Sequence, residues 1–353
     1  MKRIFFLMMA LVFCITMAAC GPKTDVEPVP TAATPTVKPV ETLPLTPTPT
    51  PIVTPLPTPV VPLSFTTGLQ YDGEYKPVMV VIENSPAARP QTGLQAADVV
   101  YEVPVEGSIT RFVCVFSDHV PEGVMPVRSG RVSFLDIQQE WDAIFMHFGG
   151  SGDGKSSAPW YTYYGSDLHD KVKVDVDGLY DSKDRDYYKR VDGIDAPHNV
   201  MMYPLAAQQL YDYSPAPLGW QFDSNAVYSG SNGTQINLTM CSGDNDFVSY
   251  TYNAAQDVYM RFMDSKVFES AETDEQVSVK NVIVQYSTYK SIDGYKVWQM
   301  TGEGNADFYI GGKLIKGTWK KDSANTPTVF YDAEGKQIVL RPGNTWIHIQ
   351  PEN

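Results

Sequence analysis

Cysteine and histidine are scarce in this chain. Its 353 residues hold four cysteines and five histidines. No HxxxH or HxH spacing supplies the pair of imidazoles that a zinc site is built from, so no metal and no cofactor is assigned. A GxSxG nucleophile elbow is missing, and so is any local cysteine-protease signature. Positive charge is also short. Against 27 Lys and Arg stand 41 Asp and Glu, a formal net charge of −14. Such a chain is no electrostatic partner for nucleic acid, and anionic headgroups repel it. The apolar run from Ile4 to Met17 is short for a membrane span.

That run follows Lys2 and Arg3 and leads into Ala18, Ala19 and Cys20, the order of a signal peptide over residues 1–20. Met17-Ala18-Ala19-Cys20 resembles the bacterial lipobox, with Met where Leu is usual. The resemblance implies lipidation of Cys20 after cleavage and attachment to the outer face of the cytoplasmic membrane. The other reading is ordinary secretion with cleavage after a small residue. Residues 21–63 form a Pro/Thr-rich stalk, since 13 of the 27 prolines fall between positions 22 and 62. A segment of this composition buries no core and stays extended, at about 3.1 Å per residue, so it holds a domain on the order of 100 Å from the membrane.

Beyond the stalk the pattern predicts an α+β protein: a mixed α/β part over 64–215, then a β-rich part over 216–353, a sandwich or open barrel. Val78 to Glu83 is a continuous apolar run and reads as a central strand. Asp98 to Glu106 and Ile109 to Ser117 read as a hairpin, with Pro104 placing its first strand at an edge or bulge. A helix is predicted from Arg131 to about Trp141, a strand from Ala143 to Phe148, and a second helix from Pro204 to Tyr213. After Ser214–Gln221 nearly every apolar run is short and bounded by turn residues. Cys114 reads as a small buried hydrophobe, the alternative being a bridge to Cys241.

Several signals bear on chemistry. Gly149 to Ser156 matches the phosphate-loop pattern GxxxxGK[ST] behind a strand. Pro159 follows three residues later, and export places the loop where nucleotides are scarce, so it reads as a glycine-rich turn and no nucleotide is assigned. The acidic stretch from Asp175 to Asp186 reads as a solvated loop, because Gly178 misses the EF-hand glycine position. His147 at a strand end and His198 between Pro197 and Asn199 suit a general base. Arg128 and Arg131 flank Ser129 just before a helix, a grouping suited to one anion. Arg89 and Arg111 belong to the same cluster. The competing reading is an internal ion network with Glu83, Glu102 or Glu106.

At these residues the chain resembles the YerB-like lipoproteins, a family whose domain has no established function. Arg89-Pro90-Gln91-Thr92-Gly93-Leu94, Ala97-Asp98-Val99-Val100-Tyr101-Glu102, Thr110-Arg111-Phe112 and Pro126-Val127-Arg128-Ser129 carry the resemblance. His147-Phe148-Gly149-Gly150-Ser151, Ala196-Pro197-His198-Asn199 and Gly343-Asn344-Thr345-Trp346-Ile347 extend it to nearly all of the chain past the stalk. It implies a mixed N-terminal domain, a β-rich C-terminal domain and a surface lipoprotein. Two expectations follow. One is a binding or scaffold module for an envelope protein or cell-wall polymer, with an anion site of Arg128, Ser129, Arg131, Arg111 and Arg89. The other is a secreted enzyme on an anionic wall or peptide substrate, with His147 or His198 moving protons and Glu102 or Glu106 orienting the base.

Overall fold

The computed structural model describes residues 61–150, 172–179, 182–217, 219–241, 247–292 and 294–352. The leader, Cys20, most of the stalk, the glycine run beyond Gly150 and His169 lie outside them. The N-terminal half supplies β1 (Val78–Glu83), β2 (Val99–Pro104), β3 (Thr110–Phe116), β4 (Ile144–His147), β5 (Asp175–Asp177), β6 (Tyr188–Arg190) and β7 (Val200–Met202). The α-helices among its described residues are α1 (Phe134–Trp141) and α2 (Pro204–Ala207). The C-terminal half adds β8 (Ser231–Asn232), β9 (Gln235–Thr239), β10 (Phe247–Asn253), β11 (Val258–Met263), β12 (Lys266–Val267) and β13 (Ser278–Val279). There follow β14 (Asn281–Ser287), β15 (Tyr289–Ile292), β16 (Tyr295–Trp298), β17 (Gly302–Ile310), β18 (Lys313–Lys321), β19 (Val329–Asp332) and β20 (Thr345–Pro351).

The result is mostly β with few helices. One eleven-stranded mixed sheet runs β19-β18-β17-β14-β20-β2-β3-β1-β4-β5, with β8 joined to β18. A five-stranded antiparallel sheet (β9 to β13) and the ribbons β15–β16 and β6–β7 stand apart from it. The last strand, β20, lies between β2 and β14 and is parallel to both. The two sequence halves therefore share one sheet.

Alternation along β1 shows how the layers form. Met79 and Val81 point to one core with Phe134, Ile137 and Trp141 of α1 and with Trp298, Phe308 and Trp319. Val78, Val80 and Ile82 point to the other, against Val248, Tyr250 and Tyr259 of the small sheet. With both faces covered, β1, β2 and β3 are buried at every position, which is why they read as unbroken apolar runs. Pro104 does not make β2 an edge: pairing with β20 stops at Glu102, so the missing N–H falls beyond the ladder. Helix α1 starts at Phe134 rather than Arg131, and Asp142 ends it in the left-handed region with φ 47°. Cys114, in the middle of β3, is a buried free thiol.

Candidate functional site

The parallel strands β1, β4 and β5 end together, and three loops close over their C-terminal ends. Glu83, the last residue of β1, is 2% exposed. Its amide donates to the Pro126 carbonyl at 2.9 Å, and the Arg128 amide donates to Val81 O at 2.9 Å, which lays the turn 126–128 along the strand end. The Glu83 carboxylate accepts the Ser85 hydroxyl on Oε1 at 2.8 Å. On Oε2 it has His198 Nδ1 at 2.9 Å and Arg128 Nε at 3.6 Å. The Arg128 Nη1 reaches the Pro197 carbonyl at 3.4 Å. The Arg89–Pro90, Met125–Pro126 and Ala196–Pro197 bonds, one in each loop, are cis.

Beside this corner Glu106 accepts from two arginines. Arg131 Nε donates to its Oε2 at 3.0 Å and Arg131 Nη2 donates to Oε1. Arg111 Nη2 lies 3.5 Å from Oε1, while Arg111 Nη1 donates to the Ser129 carbonyl. Arg111 Nε, fully enclosed, has no hydrogen-bond partner. Burial, together with the neighbouring Arg131 and Arg128 charges, pulls the Arg111 guanidinium down to about 9. At neutral pH it keeps its proton, and the shift marks a charge that is incompletely offset. Side-chain exposure separates the arginines: 26% for Arg128 against 4% for Arg111 and 6% for Arg131. The Ser129 hydroxyl donates to Phe148 O at 3.1 Å.

His147 is completely buried. Its Nε2 meets Asp175 Oδ1 at 2.9 Å, and its Nδ1 donates to Gly149 O at 2.8 Å with Asp177 Oδ2 at 3.9 Å. Burial alone would strip its proton, but Asp175 and Asp177 outweigh that and raise the imidazole to about 9. His147 is therefore a fixed cation, closed to a substrate. Asp177 Oδ1 in turn accepts the amides of Gly149 and Leu179, at 2.8 and 2.9 Å. Gly149 has φ +75°, and a Cβ there would sit 2.7 Å from Leu179 Cδ2. Asp175 and Asp177 are thus strand residues occupied by His147, where the sequence reads as a solvated loop.

The structure brings Arg128, Ser129, Arg131, Arg111, Glu106 and His198 into one corner and leaves His147, Arg89 and Glu102 outside it. Arg89 donates from Nε to Asn84 Oδ1 at 3.0 Å and from Nη1 to Asp264 Oδ2 at 3.1 Å. Glu102, fully buried, accepts Asn84 Nδ2–H and Thr110 Oγ1–H on Oε1, and Arg261 Nη2–H at 2.8 Å on Oε2. His348 Nδ1 lies 3.2 Å from that same oxygen. Burial, opposed and outweighed by Arg261 and His348, leaves the Glu102 carboxyl near 2. Neither Glu102 nor Glu106 orients His147 or His198; Asp175 and Glu83 do that. Sequence reasoning treated Glu83 only as a charge partner and missed Arg261, although Arg261 occupies the inward phase of VYMRFM between buried Tyr259 and Met263.

A mostly β protein with one shared sheet and a charged corner at parallel strand ends is the class these features define. Residues 66–215 match the N-terminal domain, and residues 236–347 the C-terminal domain, of the protein family of unknown function DUF3048. The chain belongs to this family. It is 28% identical over 287 residues to the "Putative lipoprotein YerB" of Bacillus subtilis, covering 79% of this chain and 82% of that protein. The crystal structure of the Bacillus subtilis YerB protein superposes with a TM-score of 0.67 at 28% identity, over 82% of this chain and 97% of the other.

Proposed function

We propose that this protein is a lipid-anchored, extracytoplasmic binding module of the bacterial envelope. In this reading Cys20 carries the lipid, the stalk sets the distance from the outer face of the cytoplasmic membrane, and the Arg128 corner takes a carboxylate or phosphate of an envelope protein or cell-wall polymer. One observation carries it. Three guanidiniums, Arg111, Arg128 and Arg131, face two carboxylates, Glu83 and Glu106, and the enclosed Arg111 Nε has no acceptor. A buried cation without full compensation favours an incoming anion. Arg128, the most exposed of the three, is held among the described residues by contacts of 3.6 and 3.4 Å, long enough for it to turn to a ligand. Arg131 and Ser129 keep the turn in place, and Arg89 braces the Asn84 side.

The test is crosslinking in intact cells and binding to purified wall fragments. Arg128→Ala is expected to leave folding and export unchanged and to lower recovery of the bound component at least tenfold, about the effect of one charge-assisted pair. Equal recovery by wild type and variant, or none by either, sinks the reading. Cys20→Ala in the same cells is expected to move the protein out of the membrane fraction.

A second reading, hydrolysis of an anionic wall or peptide substrate, has one observation in its favour. His198 is paired to the buried Glu83 at 2.9 Å while its side chain stays 24% exposed, an arrangement that suits proton transfer. Release of soluble product by wild type and not by His198→Ala favours this reading. Binding without release leaves the first.

A further inference from the structure

At the opposite end of β1 from Glu83 lies a cavity of about 610 Å³. Its walls come from both halves of the chain. Gly93, Gln95, Ala96, Ala97 and Pro121 belong to one, and Ser270, Glu272, Thr273, Ser278 and Asn344 to the other. Pockets at such seams are common ligand sites, and this one has the volume of a small-molecule site. It opens beside Leu69 and Thr273, both exposed.

Its lining is apolar on one side and anionic on the other. Leu69, Ala96, Ala97 and Pro121 offer carbon, while Asp98, Asp118 and Glu272 offer carboxylates; the exposed His119 also lines it, and no lysine or arginine does. Asp98 is 4% exposed and accepts Thr66 Oγ1–H at 2.8 Å and the amides of Ser117 and Asp118 at 2.8 and 2.9 Å, all on Oδ2. Asp118 accepts the hydroxyls of Ser64 and Thr67 at 2.8 and 2.5 Å. Every one of these donors is neutral. Glu272 reaches across the seam to the Gly93 amide and accepts Ser270 Oγ–H at 2.7 Å. Burial and the nearby Asp118 raise the Asp98 carboxyl to about 7, as happens when like charges are enclosed without a counter-ion.

The geometry points to a binding site for a primary alkylammonium group: the ammonium meets Asp118 and Glu272, and its carbon stem lies along Leu69, Ala96 and Pro121. This inference is independent of the arginine corner, which lies at the other end of the strands.

The experiment is calorimetric titration of the full chain with cadaverine, with Nα-acetyl-lysine amide, and with 1-pentanol as the uncharged control. Either amine is expected to bind and pentanol not to. The stronger of the two amines tells whether the ammonium comes from a free diamine or from a lysine-like residue in a peptide. Glu272→Gln is expected to weaken amine binding about tenfold, the factor for loss of one charge-assisted contact. Ala96→Trp, which fills the pocket, is expected to abolish it with the thermal transition retained. Glu272→Gln stands as the test should Ala96→Trp fail to fold. No heat with either amine, equal binding of pentanol, or amine binding unaltered in a folded variant overturns the inference.

Discussion

His147 holds its proton because two aspartates surround it where no water reaches. Its imidazole is raised to about 9, so the stability it contributes is fully present below its ordinary value near 6.5 and is lost as pH rises through about 9. In urea unfolding, His147→Gln is expected to cost about 3 kcal/mol at pH 6, with the gap to wild type closing by pH 10. A gap that stays constant over that range contradicts the assignment. The same residue shows what a sequence reading can and cannot see. A histidine at a strand end beside glycines looks available for catalysis. Its ring is closed off by Asp175 and Asp177, which lie 28 and 30 positions later and read locally as a hydrated acidic stretch. Arg128 and Arg131 are the converse case. Their grouping before a helix was legible, while the partition of roles was not: Arg131 is consumed by Glu106, and Arg128 is left half-open.

Among the elements, the small sheet is fastened to the large one by a polar group in a dry interface. Arg261 of β11 reaches Glu102 of β2 and the Tyr250 hydroxyl of β10, which meets His348 Nε2 of β20 at 2.9 Å. Its guanidinium lies 4.7 Å from the Trp346 ring centre and 4.8 Å from that of Phe268. Arg261→Met leaves a fully buried carboxylate facing no cation except His348, whose own ring burial disfavours protonation. Expected destabilisation is about 3–5 kcal/mol, and Glu102→Leu together with Arg261→Met is expected to recover much of it. A double-mutant cycle in urea that returns no coupling would count against this fastening. Apolar runs revealed β1 and β3 at their observed positions, because a strand buried on both faces is apolar at nearly every residue. Strand β18 was not legible: Lys313-Leu314-Ile315-Lys316-Gly317 carries exposed lysines and a glycine. Gly317 is there because a Cβ would lie 1.9 Å from the Tyr331 carbonyl oxygen of neighbouring β19.

For the whole molecule, the placement of β20 decides how the halves depend on one another. Residues 64–215 alone lack the strand that pairs with Val99–Glu102, so β2 is left with an open edge of residues that the whole chain buries. A fragment ending at 215 is expected to show no cooperative urea transition, and mixing it with a 216–353 fragment is expected to restore one. A cooperative transition for the isolated fragment would show that β20 is dispensable. By itself the sequence determined what depends on local composition and near neighbours: the concentration of proline before residue 63, the excess of acidic residues, the strand-rich character and the clustering of charged residues around Pro77–Gly150. Tertiary structure alone decided which of those charges are spent on one another. Ion pairing depends on distances between residues as far apart as Glu83 and His198, or Glu102 and Arg261, and a strand's period records only which face is buried, never which partner waits there.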